Sequence, residues 1–191
     1  MKGQKLTDPR IEFVFGEVND QLKRELRAFW SQHRNAYQEE LRSFKTVSRN
    51  SHSLEQIDLL KKPISRQPAA ISRDQSGAIN GIVFVVLREL ETSLELGSHA
   101  YFQRMYITPI ARNTFQQRLA NQLFKTFLRG FDREVEKRDH RAKVLLAENI
   151  NPGLQKASMR RYFARLGFQM LGGNQLGGEI WVRKLKTHFS F

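Results

Sequence analysis

The chain has 191 residues, 40 % of them hydrophobic and 10 % aromatic, with no cysteine and a net charge of +13. That size and composition suit one domain with a real core and exclude a disordered chain, while the missing cysteines exclude disulfides, thiolate metal sites and a cysteine nucleophile. No apolar run approaches the roughly 18 residues a membrane helix needs, and the polar start MKGQKLTDPR does not read as a signal peptide, so the expected location is the cytoplasm.

In chain order, "IEFVF" (11–15) reads as a short strand, and Asn19 can cap a helix beginning near Asp20. Residues 36–62 read as helical in two pieces, with Ser51 or Ser53 capping the second, and Pro63 and Pro68 end helical structure. "AAISRD", the turn "QSGA" and "INGIVFVVLREL" form a hairpin over 69–90. "YFQRMYIT" (101–108) is a further strand, stopped by Pro109, and 115–138 is the longest helix. Its apolar stripe is Leu119, Leu123, Phe124, Phe127, Leu128, Phe131 and Val135, and Lys125, Arg129 and Arg133 line another face. "KVLLAE" (143–148) is apolar enough for a central strand. A turn at Asn151-Pro152-Gly153 leads into a helix ending near Leu166, with Gly167 at its C-cap, and "FQML" and "EIWVRKL" close the chain as two strands. The expected fold is α/β (α+β): a mixed, mainly antiparallel sheet of six to seven strands with helices on both faces.

The charge is uneven. Residues 1–66 carry +4, 67–111 carry −1 and 112–191 carry +10, from 16 basic against 6 acidic groups. Such a field draws anions: coenzyme phosphates, an acidic carrier protein or nucleic acid. The five histidines (33, 52, 99, 140, 188) lack metal-ligand spacing, so no metal is expected. No Gly-x-Ser-x-Gly, His-Glu-x-x-His or Walker-type loop occurs.

Three stretches, "MYITPIAR…LANQLF", "VLLAENINP" and "MRRYFARLGFQML", together resemble the GNAT superfamily of N-acyltransferases over about residues 70–185. The resemblance implies one domain, with residues 1–66 on the acceptor side and 67–191 as the acyl-donor core. It implies transfer of an acyl group from acetyl-CoA or another acyl-CoA to an amine. The backbone of Met105, Tyr106 and Ile107 would pair with the pantetheine arm. The pyrophosphate would lie at the turn before the long helix, on Arg112, Asn113, Thr114, Arg118, Leu119 and Ala120, with Asn151 also at the donor. Tyr162 would protonate the departing thiolate, and Glu148 and Asn149 are the candidates for accepting the amine's proton.

Two departures stand out. The family's glycine-rich loop has no glycine here, reading R-N-T-F-Q-Q-R-L-A, so Arg112 and Arg118 would substitute side-chain charge for backbone N–H groups. The family's usual tyrosine position, counted back from Phe168, is held by Phe163, with Tyr162 its neighbour about 100° away on the helix. Alternatives therefore stand beside a CoA-dependent enzyme: a synthase fed by an acidic acyl carrier protein, a non-catalytic GNAT-like binding protein, and an RNA-binding protein. The acceptor carries no readable code.

Overall fold

A computed structural model describes residues 9–48, 63–91, 95–173 and 177–186. Seven strands form one sheet in the order β1-β2-β3-β4-β5-β7-β6. They are β1 (Arg10–Phe13), β2 (Pro63–Arg73), β3 (Ile79–Glu89), β4 (His99–Ile107), β5 (Ala142–Asn149), β6 (Gln169–Gly173) and β7 (Glu179–Lys184). Among the described residues three α-helices accompany them: α1 (Asp20–Ser48), α2 (Pro109–Arg133) and α3 (Ala157–Arg165). The pairings β1–β2, β5–β7 and β6–β7 are antiparallel, whereas β4–β5 is parallel. Bonds at both ends of the β3–β4 pair, Leu90 N–H to Ser98 O and Thr108 N–H to Asn80 O, also run it antiparallel. The sheet is thus the mixed, mainly antiparallel one expected.

The chain divides into two compact units. The first gathers the described residues of Met1–His33, Pro68–Phe84 and Met105–Arg133. Asn19 caps α1, its Oδ1 accepting from Leu22 N–H at 2.8 Å. Trp30 of α1 lies against Phe84 and stacks on Tyr106 at 6.0 Å. On α2, Leu119, Leu123, Phe127 and Phe131 have no exposure. A Cβ on Gly81 would stand 3.2 Å from Leu123 and 2.5 Å from Ser72 Oγ, so only glycine lets α2 come so near the sheet. Side chains alternate along a strand, so Gly81 and Phe84 belong to opposite faces, and α1 and α2 cover one face each. The β2–β3 turn is held by Asp74, whose Oδ1 accepts from Ser76 and Ala78 N–H, with Gly77 at φ +84°.

The second unit gathers the described residues of Arg34–Gln67, Val85–Arg104 and Glu134–Phe191. Its centre is β5, between β4 and β7. Phe163 of α3 stacks on Trp181 of β7 at 5.7 Å and meets Phe168 edge-on at 5.7 Å. Gly167, at φ +83°, ends α3: its N–H bonds Ala164 O, and Phe168 N–H bonds Phe163 O. This is the Schellman arrangement, which a glycine enters without strain.

Three boundaries differ from the sequence reading. Helix α1 runs unbroken through 31–35, because no proline or glycine occurs anywhere in Asp20–Ser48; the second helical piece expected after it, with Ser51 and Ser53, lies outside the described residues. Strand β2 begins at Pro63 and contains Pro68. The β1 pairing reaches only Phe13↔Ala70 and the Val14 N–H to Ala69 O bond, so Pro68 lies where β2 needs no donor toward β1. Helix α2 starts at Pro109 instead of 115, proline being favoured in a helix's first turn, and it stops at Arg133 before a 3-10 turn at Val135–Lys137.

Candidate active site

In the second unit, the parallel ladder between β4 and β5 runs from His99↔Ala142 to Gln103↔Ala147. Strand β5 continues to Asn149, still paired with β7 as far as Asn149↔Glu179. Beyond the last β4–β5 rung, alternation puts Arg104 and Glu148 on one face and Gln103, Ala147 and Asn149 on the other. Arg104 and Glu148 do meet, in an ion pair that leaves 13 % of the Glu148 side chain exposed. Glu148, expected as a base, is thus a carboxylate whose charge is already answered by a guanidinium the sequence reading did not single out.

The opposite face holds polar atoms without partners. Gln103 Oε1 and Asn149 Nδ2 are buried and make no hydrogen bond among the described residues. Asn149 is itself 1 % exposed, and its carbonyl accepts from Gln155 Nε2 at 2.9 Å. Buried amides are normally satisfied, so orphaned ones at and just past the last rung of the β4–β5 ladder mark a place a ligand can complete.

Helix α3 carries a third such atom. Tyr162 is half-buried and its Oη has no partner among the described residues. Burial pushes its pKa up from the ordinary tyrosine value, so the phenol stays protonated at neutral pH. Its neighbour Phe163 is core, under Trp181. The helix is anchored by Arg160, which donates through Nε (2.8 Å) and Nη2 to Glu179 Oε1; Glu179 Oε2 accepts from Trp181 Nε1 at 3.0 Å. Glu179 is 1 % exposed. Asn151, expected at the donor, instead caps the 3-10 turn Pro152–Gln155, accepting from Gly153 N–H at 2.8 Å.

The first unit holds the stretch expected to bind the donor's phosphates. Met105 is exposed, while Tyr106 and Ile107 are buried. Tyr106 sits among Phe29, Trp30 and His33. Arg112 donates through Nε to Ile107 O at 3.0 Å and lies 5.9 Å from the Tyr106 ring. Its guanidinium is thereby engaged with its own chain. The expected loop R-N-T-F-Q-Q-R-L-A is helical throughout. Thr108 caps it: its carbonyl accepts from Arg112 N–H at 3.0 Å and its Oγ1 from Ala111 N–H at 3.4 Å. Leu119, with no exposure, is core and cannot touch a ligand. Asn113 and Arg118 are exposed, Ala120 is half-buried, and the Thr114 side chain lies outside the described residues.

A charged group in the second unit was also missed. Arg88 of β3 lies 5.7 Å from the Phe102 ring, on the Arg104–Glu148 face of the sheet. Its pKa falls through burial and through the like charges of Arg104 and Arg66, with Glu148 opposing. Tyr37 of α1 is shifted up by burial and feels Arg104, Arg66, Glu40 and Glu148. The alternation of "VLREL" (86–90) and "FQRM" (102–105) was the available signal: each sets an arginine two places from an apolar residue on one face. His99, two residues before the strand expected at 101–108, is buried at the start of β4 with Nδ1 2.8 Å from Ser98 Oγ. Among the described residues no group of three or more His, Asp or Glu side chains could hold a metal, and no helix is long and apolar enough to cross a membrane.

No protein-family model and no curated protein matches the chain. Solved structures do. A GNAT superfamily phosphinothricin acetyltransferase from Sinorhizobium meliloti, in complex with acetyl-CoA, is 13 % identical with a TM-score of 0.44, over 95 % of this chain and 94 % of its own. A GNAT-family acetyltransferase from Staphylococcus aureus is 14 % identical with a TM-score of 0.42, over 94 % of this chain and 100 % of its own. At this level of identity and superposition, the site chemistry has to be read from the residues of this chain.

Proposed function

We propose that the protein transfers an acyl group from an acyl thioester, acyl-CoA in the first instance, to an amine. The observation that carries this reading is the end of the parallel β4–β5 ladder at Gln103↔Ala147, where strand continues past the last rung beside orphaned buried amides. An extended pantetheine arm is a chain of amides, and such an arm asks for a donor and an acceptor of this kind. In this reading the Asn149 Nδ2 donates to it or to the thioester oxygen as negative charge develops there, and its lack of a partner among the described residues supports that role.

The amine nitrogen attacks the thioester carbonyl, a C–N bond forms, and the C–S bond breaks from the tetrahedral intermediate. Tyr162 Oη, kept protonated by burial, supplies the proton to the departing sulfur and is recharged by the proton the amine gives up through solvent. Glu148, held by Arg104, orients the amine as a hydrogen-bond acceptor.

Thermal unfolding with acetyl-CoA, a long-chain acyl-CoA and free CoA tests the reading, followed by mass spectrometry of an amine panel. A ligand at about 100 times its dissociation constant should stabilise by about 2.7 kcal/mol. No shift with any of the three removes CoA as the donor. A second reading, an acyl chain delivered on an acidic carrier protein, is favoured by the α2 start: Thr108 closes the helix end that would otherwise take phosphate. Protection by acylated carrier protein alone would establish it.

A further inference from the structure

Asn149 is the last paired residue of β5, and its pairing is with β7 alone: the β4–β5 ladder stops two residues earlier, at Gln103↔Ala147. Buried backbone groups at such an end need partners from elsewhere. Here a side chain supplies one. Gln155, last residue of the 3-10 turn Pro152–Gln155, folds back so that its Nε2 donates to Asn149 O at 2.9 Å and to Gly177 O at 3.3 Å. An amide NH2 has two protons, so one side chain can make both bonds at once. Gly177, at φ +73°, lies just ahead of Glu179, where β7 begins. Gln155 thus pins the end of β5 and the approach to β7 to a single turn.

The Asn149 side chain is left over by this arrangement. Glu179, directly opposite in the β5–β7 ladder, is the acceptor a cross-strand neighbour would supply. Both of its oxygens are engaged: Oε1 by Nε and Nη2 of Arg160, Oε2 by Trp181 Nε1. Asn149 is 1 % exposed and its Nδ2 has no partner among the described residues, so this donor is both desolvated and unused. Such a donor stabilises a developing oxyanion only if its direction is fixed beforehand. We infer that Gln155 is the positioning residue of the site: its two bonds fix the backbone at Asn149 and, through it, the direction of the unused Nδ2 donor. That this donor serves a thioester oxygen rests on the acyl-transfer reading; the hold of Gln155 on Asn149 does not.

Two measurements on the full chain separate the hold from its use. In a proton–nitrogen correlation spectrum without ligand, the side-chain NH2 pair that N149A removes should shift or broaden in Q155M. In steady-state kinetics with acetyl-CoA and an amine the parent turns over, N149A should lower kcat about 10²- to 10³-fold. Q155M should lower it about 10- to 100-fold, the cost of a misdirected group. KM for acetyl-CoA should stay within about threefold in both, since the interaction belongs to the transition state. The double variant should fall no further than N149A, because a donor that is gone cannot be misdirected. Q155E, of the same shape but without the two donors, should behave as Q155M does and decides the matter if Q155M does not fold. A moved Asn149 pair in a parent that binds no thioester keeps the hold and removes its service to acyl transfer. An Asn149 pair unmoved in Q155M, a Q155M kcat within about threefold of the parent, or losses that multiply in the double variant overturn the proposal.

Discussion

Glu179 offers the sharpest test of how the site is held. Its carboxylate is 1 % exposed and accepts from Arg160 on α3 and from the Trp181 indole on its own strand. In Glu179→Gln the shape is kept, but the amide accepts at one atom only and turns an NH2 toward a donor. Hydrogen bonds to a charged group are worth about 1.5–3 kcal/mol each. The Arg160 side chain is 48 % exposed, so its share is screened and falls toward the surface value of under about 1 kcal/mol. The Trp181 bond is fully buried and keeps its full weight. The expected loss is about 2 kcal/mol for Gln, or about 4–8 °C in Tm for a chain of this length. Glu179→Ala, which also strands the indole N–H and the guanidinium, should lose about 3–5 kcal/mol. Arg160→Met, which leaves the 1 % exposed Glu179 carboxylate without its guanidinium, should lose about 3–5 kcal/mol. Urea unfolding at pH 7, followed by circular dichroism and tryptophan emission, reads all three. If Glu179→Gln or Arg160→Met lies within about 0.5 kcal/mol of the parent, the buried carboxylate is not the anchor described.

Tyr162→Phe should leave stability unchanged within about 0.5 kcal/mol, because the lost hydroxyl has no partner among the described residues, yet lower kcat by about 10²- to 10⁴-fold; a kcat within threefold of the parent would remove Tyr162 as the acid. Tyr37, Tyr101 and Tyr162 are all raised above 10.0 by burial. Raised folded values mean that their contribution is intact below pH 10 and is lost as pH climbs through the folded values. Absorbance at 295 nm should then show late titration, with stability falling from about pH 10 upward; ordinary titration of all the tyrosines would contradict this. Gly130→Ala should destabilise by about 1–3 kcal/mol although alanine favours a helix by about 1 kcal/mol, since the new Cβ would enter the Phe13 ring; a stabilised variant would refute the close approach of α2 to β1.

The elements with strong local signals were legible. Asn19 before an apolar-periodic run gave α1 its start, the Asp74–Ala78 stretch gave the hairpin, and Gly167 gave the end of α3. The mixed sheet followed from their order. The start of α2 was not legible, because the family resemblance asked for a loop where Thr108 and Pro109 already supply a cap and a first turn. Leu119 was put at the ligand by alignment when its apolar stripe placed it in the core. Tyr162 came through as a candidate because it was the tyrosine nearest the motif, but the orphaned Oη that supports it is a tertiary fact. Arg104, Arg88 and Arg66 are far apart in sequence, and only the strand order brings their charges to bear on one another. Charge partners from separate strands leave no periodic trace.

The chain has two tryptophans, and the fold assigns one to each compact unit. Trp30 stacks on Tyr106 in the first, and Trp181 lies between Phe163 and the Glu179 carboxylate in the second. Each unit therefore comes with its own built-in optical reporter. Trp181→Phe leaves emission from the helix α1 environment alone, and Trp30→Phe leaves emission from the α3–β7 contact alone. A ligand that engages Gln103, Asn149 and Tyr162 should be visible in the second signal, and one confined to the stretch around Tyr106 in the first. The order in which the two signals change during unfolding would tell whether the units melt as one.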